Sequence, residues 1–134
     1  MIPTIAHFIW FGKHLPWAHG LAVISAARRG GFAKVVLHHH EELVTSEVTA
    51  ALDMEPSIEM RRLRPSELFA NTKNYSLQLG ALYNRLERPA AKANMIRAAL
   101  LFSEGGVYLD TDTITLRNFG PLLDTGIFCG TERI

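Results

Sequence analysis

Residues 89–116 restrict the fold more than any other stretch. "PAAKANMIRAALLFSE" is a helix-length run that opens on Pro89 and closes on Gly105 and Gly106, and "VYLDTDTITL", rich in β-branched residues, follows at once. The same alternation runs through the rest of the chain. Ile5 to Phe11 reads as a buried strand ended by Gly12. "WAHGLAVISAARRGG" places Leu21, Ile24 and Ala27 at helical spacing and stops on Gly30 and Gly31, a left-handed cap. A strand over 33–39, a helix over 41–53 carrying Leu43, Val44, Val48 and Ala51 on one side, and a strand over 57–63 follow. Ser76 is placed to cap a helix bearing Leu79, Leu82, Tyr83 and Leu86, Pro89 suits the first turn of the next, and "GIFCGTE" (126–132) reads as a last strand. Strands and helices alternating at these lengths predict a layered α/β sheet, in which ligands collect at the carboxyl ends of the strands. "IWFG" and "YLDTDT" both lie at such ends.

Bulk properties exclude several classes. A chain of 134 residues with 48% hydrophobic content fits one domain over 1–134, and no repeat or linker divides it. A formal net charge of +1, from 14 basic and 13 acidic residues, gives no electrostatic ground for nucleic-acid binding. "RRLR" at 61–64 reads as a solvated edge. Cys129 is the sole cysteine, so no disulfide framework is expected and a cytoplasmic location is. The N-terminal stretch lacks a basic region and carries Pro3, so it is not read as a signal peptide, and no run is long and apolar enough to predict a transmembrane segment. His38 and His40 would share one side of a strand and could bind zinc, but a strand end entering a helix explains them better.

Inside the 89–104 helix, Asn94, Arg97 and Glu104 fall on one arc at 100° per residue, ringed by Ala91, Met95, Ala98, Ala99 and Phe102. The surrounding apolar residues predict a buried Arg97, which needs a partner; Glu104 is one structural candidate. Asp110 and Asp112 pose the sharper question. In a strand, residues i and i+2 project from one face, roughly 6.6 Å apart, and two like charges at that distance repel by about 2–3 kcal/mol at an effective dielectric near 20. A divalent cation would offset this, and hard oxygen ligands select magnesium, manganese or calcium, ions that bridge carboxylates to a substrate's phosphates. The plainer alternative is that Asp-Thr-Asp marks a solvated turn or bulge with local hydrogen bonds.

"KANMIRAALLFSEGGVYLDTDTITLRNFGPLL" resembles the core of the glycosyltransferases whose sugar-binding region contains the DXD motif, among them fungal α-mannosyltransferases, capsular polysaccharide sugar transferases and glucosylating toxins. "IPTIAHFIWFG" resembles the same family's first strand. The resemblance implies a GT-A-like, Rossmann-like nucleotide-sugar-binding sheet with flanking helices. It implies a metal-dependent retaining transferase that moves a sugar from a UDP- or GDP-sugar donor to a glycan or other hydroxyl acceptor, in polysaccharide biosynthesis. Asp112 then matches the direct ligand of manganese or magnesium, and Asp110 the residue that contacts ribose or sugar hydroxyls and reaches the metal through water. Arg97 matches the helix arginine aimed at the donor sugar and phosphates. Trp10 matches an aromatic beside the base, Tyr108 the aromatic before the motif, and Asn94 replaces an Asp that binds sugar hydroxyls, leaving the choice of sugar open. The resemblance also implies a catalytic domain that continues past the motif, so the expected fold is incomplete at its C-terminus. A truncated, non-catalytic nucleotide-sugar-binding remnant is the alternative. "VYLDTDTIT" also fits the opening motif of haloacid-dehalogenase-like phosphatases, with a first Asp as nucleophile, but that motif opens its domain whereas this pair lies near the end of the chain.

Overall fold

The apolar runs become a parallel sheet. The computed structural model describes residues 1–72 and 75–131, and its strands are β1 (Ile5–Trp10), β2 (Lys34–His39), β3 (Ile58–Arg62) and β4 (Val107–Tyr108), in the spatial order β3-β2-β1-β4. Between and after them lie α1 (Trp17–Arg29), α2 (Glu47–Asp53), α3 (Pro65–Ala70), α4 (Ser76–Arg85), α5 (Pro89–Glu104) and α6 (Gly120–Leu123). The chain steps from β1 to β2 to β3 in one direction, then returns through three helices to lay β4 on the other side of β1, with Ala6 opposite Val107 and His7 opposite Tyr108. Such a reversal opens a crevice at the carboxyl ends of the two strands that flank it, here β1 and β4.

Alternation along the strands divides the core. Ala6, Phe8, Val35 and Leu37 join Ala22, Val23 and Ala26 of α1 and Val48 and Leu52 of α2 on one face. On the other, Ile9 packs with Leu68 and Phe69 of α3, Tyr83 of α4 and Ile96, Ala99 and Leu100 of α5. Glycine is required where the return meets the sheet. Gly106 has φ 91, and a Cβ there would stand 2.5 Å from the Ile5 carbonyl oxygen.

The middle of the sheet holds a polar pair. His7 and His38 are buried, with His7 Nδ1 3.0 Å from His38 Nε2 and His7 Nε2 3.0 Å from the Gly105 carbonyl oxygen. A carbonyl only accepts, so His7 donates from Nε2, its Nδ1 is left to accept, and His38 donates from Nε2. That assignment is the one for neutral rings, which their lowered pKa values favour. Burial lowers the pKa of each, that of His38 to about 3, with His7 and Arg61 beside it acting in the same sense. Nearby, Glu59 takes Lys34 and Arg61 as partners, and Arg61 also donates to both oxygens of Glu104 at 3.0 and 3.2 Å.

Several expectations need correction. The strand expected over 107–116 ends at Tyr108, and the Asp pair lies in a turn beyond it. Residues 126–131 form no strand, since the chain there pairs with no neighbour; Glu132, the last residue of that expected strand, lies outside the described residues. The second helix starts at Glu47 rather than at 41, because Ser46 and Thr49 form a reciprocal capping box that sets its first turn. Ser76 is the first helical residue, not the cap, which is Tyr75. The left-handed residue after α1 is Gly31, with φ 74, while Gly30 stays right-handed. α5 buries one side only, through Ile96, Ala99 and Leu100, so Asn94, Arg97 and Phe102 are exposed; Glu104 is taken by Arg61 and not by Arg97. The "RRLR" stretch, by contrast, is the solvated edge expected: it ends the edge strand β3, with Arg62 and Arg64 exposed and ion-paired at the surface to Glu42 and Glu67. His38 serves the polar pair and His40 stacks on Phe11, ring centroids 4.9 Å apart, which accounts for both without zinc. Among the described residues no helix is long and apolar enough to cross a membrane.

Candidate functional site

β4 pairs with β1 for two residues, and one more backbone bond, Leu109 N–H to the His7 carbonyl at 3.0 Å, carries the chain to the rim of the sheet. There it turns. The Thr113 backbone N–H and hydroxyl both donate to the Asp110 carbonyl, at 3.2 and 2.7 Å, closing a turn over Asp110–Thr113. Local bonds of this kind compete with a strand ladder wherever no second strand supplies partners, and past His7 none does. The turn is tethered to α1 twice: Thr111 meets His19 Nδ1 through its carbonyl at 3.0 Å and its hydroxyl at 3.2 Å, and Thr115, buried, donates its N–H to Ser25 Oγ at 2.9 Å.

This loop brings together most of the residues singled out in the sequence. Asp110 and Asp112 are both exposed, and the charge of each reaches the Tyr108 phenol, whose pKa is pushed up first by burial and then by Asp110, through its charge and a hydrogen bond. Tyr108 therefore stays protonated at neutral pH. The Arg97 guanidinium lies over the Tyr108 ring, 5.6 Å from its centroid, a contact worth about 0.5–1 kcal/mol at an exposed site. Asn94 sits one helical turn before Arg97 and is exposed. Trp10, half-buried at the end of β1, donates from Nε1 to the His14 carbonyl at 3.1 Å and packs against the His19 ring, centroids 4.5 Å apart. Trp10 and the Asp pair are thus linked through His19, and Arg97 and the Asp pair through Tyr108.

Sequence reasoning missed His19. Its only signal is position, in the first turn of a helix that starts beside the end of β1, because nothing in the sequence joins residue 19 to residue 111. The same-face strand argument for the two carboxylates does not apply to a turn, and the turn alternative describes the backbone. The donor set still suits a hard divalent cation: two solvent-reachable carboxylates in one tight turn, beside a cationic side chain and a protonated phenol. Among the described residues no cluster of three or more His, Cys, Asp or Glu could hold an ion by itself, so the remaining ligands would be phosphate oxygens and water.

The model of the family described as "Glycosyltransferase sugar-binding region containing DXD motif" matches residues 28–128. An uncharacterized glycosyltransferase of Acanthamoeba polyphaga mimivirus is 36% identical over 55 residues, 41% of this chain and 22% of that protein. The solved PaToxG glycosyltransferase superposes with a TM-score of 0.60 at 21% identity, covering 89% of this chain and 45% of that one, which is a likeness of fold. The fold is accordingly α/β and GT-A-like, and the chain spans less than half the length of either protein.

Proposed function

The chain belongs to the glycosyltransferase sugar-binding regions that contain the DXD motif, and from this we propose that it captures a UDP- or GDP-sugar through manganese or magnesium on Asp112 and Asp110, as the donor side of a retaining transfer to a glycan or other hydroxyl. The observation that supports the reading is the Asp110–Thr113 turn just past the carboxyl end of β4, whose two exposed carboxylates are linked to Trp10 through His19 and to Arg97 through Tyr108.

Each residue then has a physical task. Asp112 offers the direct oxygen ligand, and Asp110 accepts from ribose or sugar hydroxyls while adding to the upward push that burial gives the Tyr108 pKa. Tyr108, unable to ionise at neutral pH, presents Arg97 with an aromatic face and adds no negative charge beside the phosphates. Arg97, exposed on α5, is free to fork onto phosphate oxygens, for which a guanidinium is suited. The Trp10 indole offers a flat surface to the base at little entropic cost. Asn94 offers hydrogen bonds to sugar hydroxyls without charge. The bound ion supplies charge neutralisation for the departing diphosphate. No side chain is assigned as a base.

The test is nucleotide release. The purified chain is incubated with UDP- and GDP-sugars, manganese and a mixed glycan acceptor set. Release of nucleoside diphosphate that EDTA abolishes supports transfer. Metal-dependent donor binding without release limits the reading to donor capture, the remnant alternative, and neither binding nor release overturns it.

A further inference from the structure

His19 does more than pack. Because the Thr111 carbonyl can only accept, the hydrogen of the 3.0 Å contact sits on His19 Nδ1, and the same N–H reaches the Thr111 hydroxyl at 3.2 Å. The other face of the connection is the Trp10 indole at 4.5 Å, itself fixed by its bond to His14. One imidazole therefore ties the middle residue of Asp110–Thr111–Asp112 to the aromatic ring at the end of β1. Drawing the Thr111 carbonyl toward α1 leaves the two flanking carboxylates on the solvent side, where both are exposed. Without that tie the turn keeps its own Thr113-to-Asp110 closure and its anchors at Leu109 and Thr115, but Thr111 loses its link to α1. The Thr111 peptide, within that closed turn, would then be less restrained, and with it the two carboxylates that flank it.

We propose that His19 is a positioning residue for the metal-binding turn: its Nδ1–H holds Thr111 so that Asp110 and Asp112 meet one divalent ion beside Trp10. The inference rests on the reading of that turn as the ion's site. Its physical content is preorganisation, since carboxylates already paired lose less freedom when an ion arrives.

Side-chain length provides the test. Asn places an amide N–H as many bonds from the backbone as His Nδ1, whereas Gln places it where Nε2 would be. Manganese is titrated into the full chain, in the presence of UDP or GDP, whichever the unsubstituted chain binds more tightly, and free manganese is read by electron paramagnetic resonance. His19→Ala and His19→Gln should bind manganese about tenfold more weakly, and His19→Asn within about threefold of the unsubstituted chain. Circular dichroism checks folding, and if His19→Ala does not fold, the Asn and Gln pair decides. Equal binding by every variant, or rescue by Gln as well as by Asn, overturns the positioning role. If the unsubstituted chain takes up no manganese with either nucleotide, the donor reading fails first and takes this inference with it.

Discussion

In the middle of the sheet, His7 and His38 stand 3.0 Å apart, buried and neutral, each proton assigned by its neighbour. At the rim, where β4 ends, Asp110 and Asp112 stand exposed in a turn held by its backbone and by two side chains of α1. Both regions bring two titratable groups together, and they deal with charge in opposite ways. The interior removes it by depressing both pKa values, because an unpaired charge in a low dielectric is costly. The rim keeps it within reach of water, where a cation can arrive and replace the solvent. The interior pair therefore answers to stability and, on the function proposed above, the rim pair to binding, and the two can be separated by experiment.

The largest stability effect belongs to the interior. His7→Ala removes a buried ring and leaves the His38 Nε2–H without its acceptor, and the cavity and the orphaned donor together should cost about 3 kcal/mol in urea unfolding. A loss under about 1 kcal/mol would mean that the pair is not the specified network described above.

The next effect is on pH. The His38 pKa is lowered from 6.5 to about 3, so the unfolded chain takes up a proton near 6.5 that the folded chain refuses until far lower. Stability from this source is whole above 6.5 and is lost as pH falls toward 3, by about 2 kcal/mol between pH 7 and pH 5 for His38 alone. His7 acts in the same direction, and so does His40 near the surface, where solvent weakens its share. Glu59, held near 2 by Arg61 and Lys34, keeps its contribution in full above its ordinary 4.5 and loses it only as pH falls below that, so the fall above pH 5 belongs to the histidines. Urea midpoints measured from pH 7 to pH 5 check this, and a flat profile would contradict it.

The sequence was clearest where periodicity and chemistry act locally. Strands β1, β2 and β3 and the helix from Pro89 to Glu104 follow from apolar runs punctuated by glycine and proline, and the expected bounds agree within one residue. The family of the Asp-x-Asp motif was also legible, though the motif's backbone was not: Val107, Thr111, Thr113 and Ile114 carry strand propensity, yet a strand exists only where a neighbour pairs with it, and the pairing of β4 with β1 stops at His7. Arg97 was expected to be buried because helical spacing shows what surrounds a residue on its own helix, not which faces another layer covers. α3 had a signal, proline at its first position with Glu67 in its first turn, but its six residues are too few for a period to stand out. His19, its ring on Trp10 and its Nδ1 on Thr111, could come only from tertiary structure.

The smallest stability effect, and the most telling one, is at the rim. Asp112→Asn should change stability in the absence of ligand by less than about 0.5 kcal/mol, since the residue is exposed. With manganese and UDP or GDP at about 100 times the dissociation constant, binding should stabilise the unsubstituted chain by about 2.7 kcal/mol, and EDTA should remove the gain. Thermal unfolding of the two chains with manganese, nucleotide, both or neither is the direct measurement. The account predicts stabilisation that needs both ligands and vanishes in Asp112→Asn; stabilisation retained in that variant, or absent from the unsubstituted chain, would contradict it.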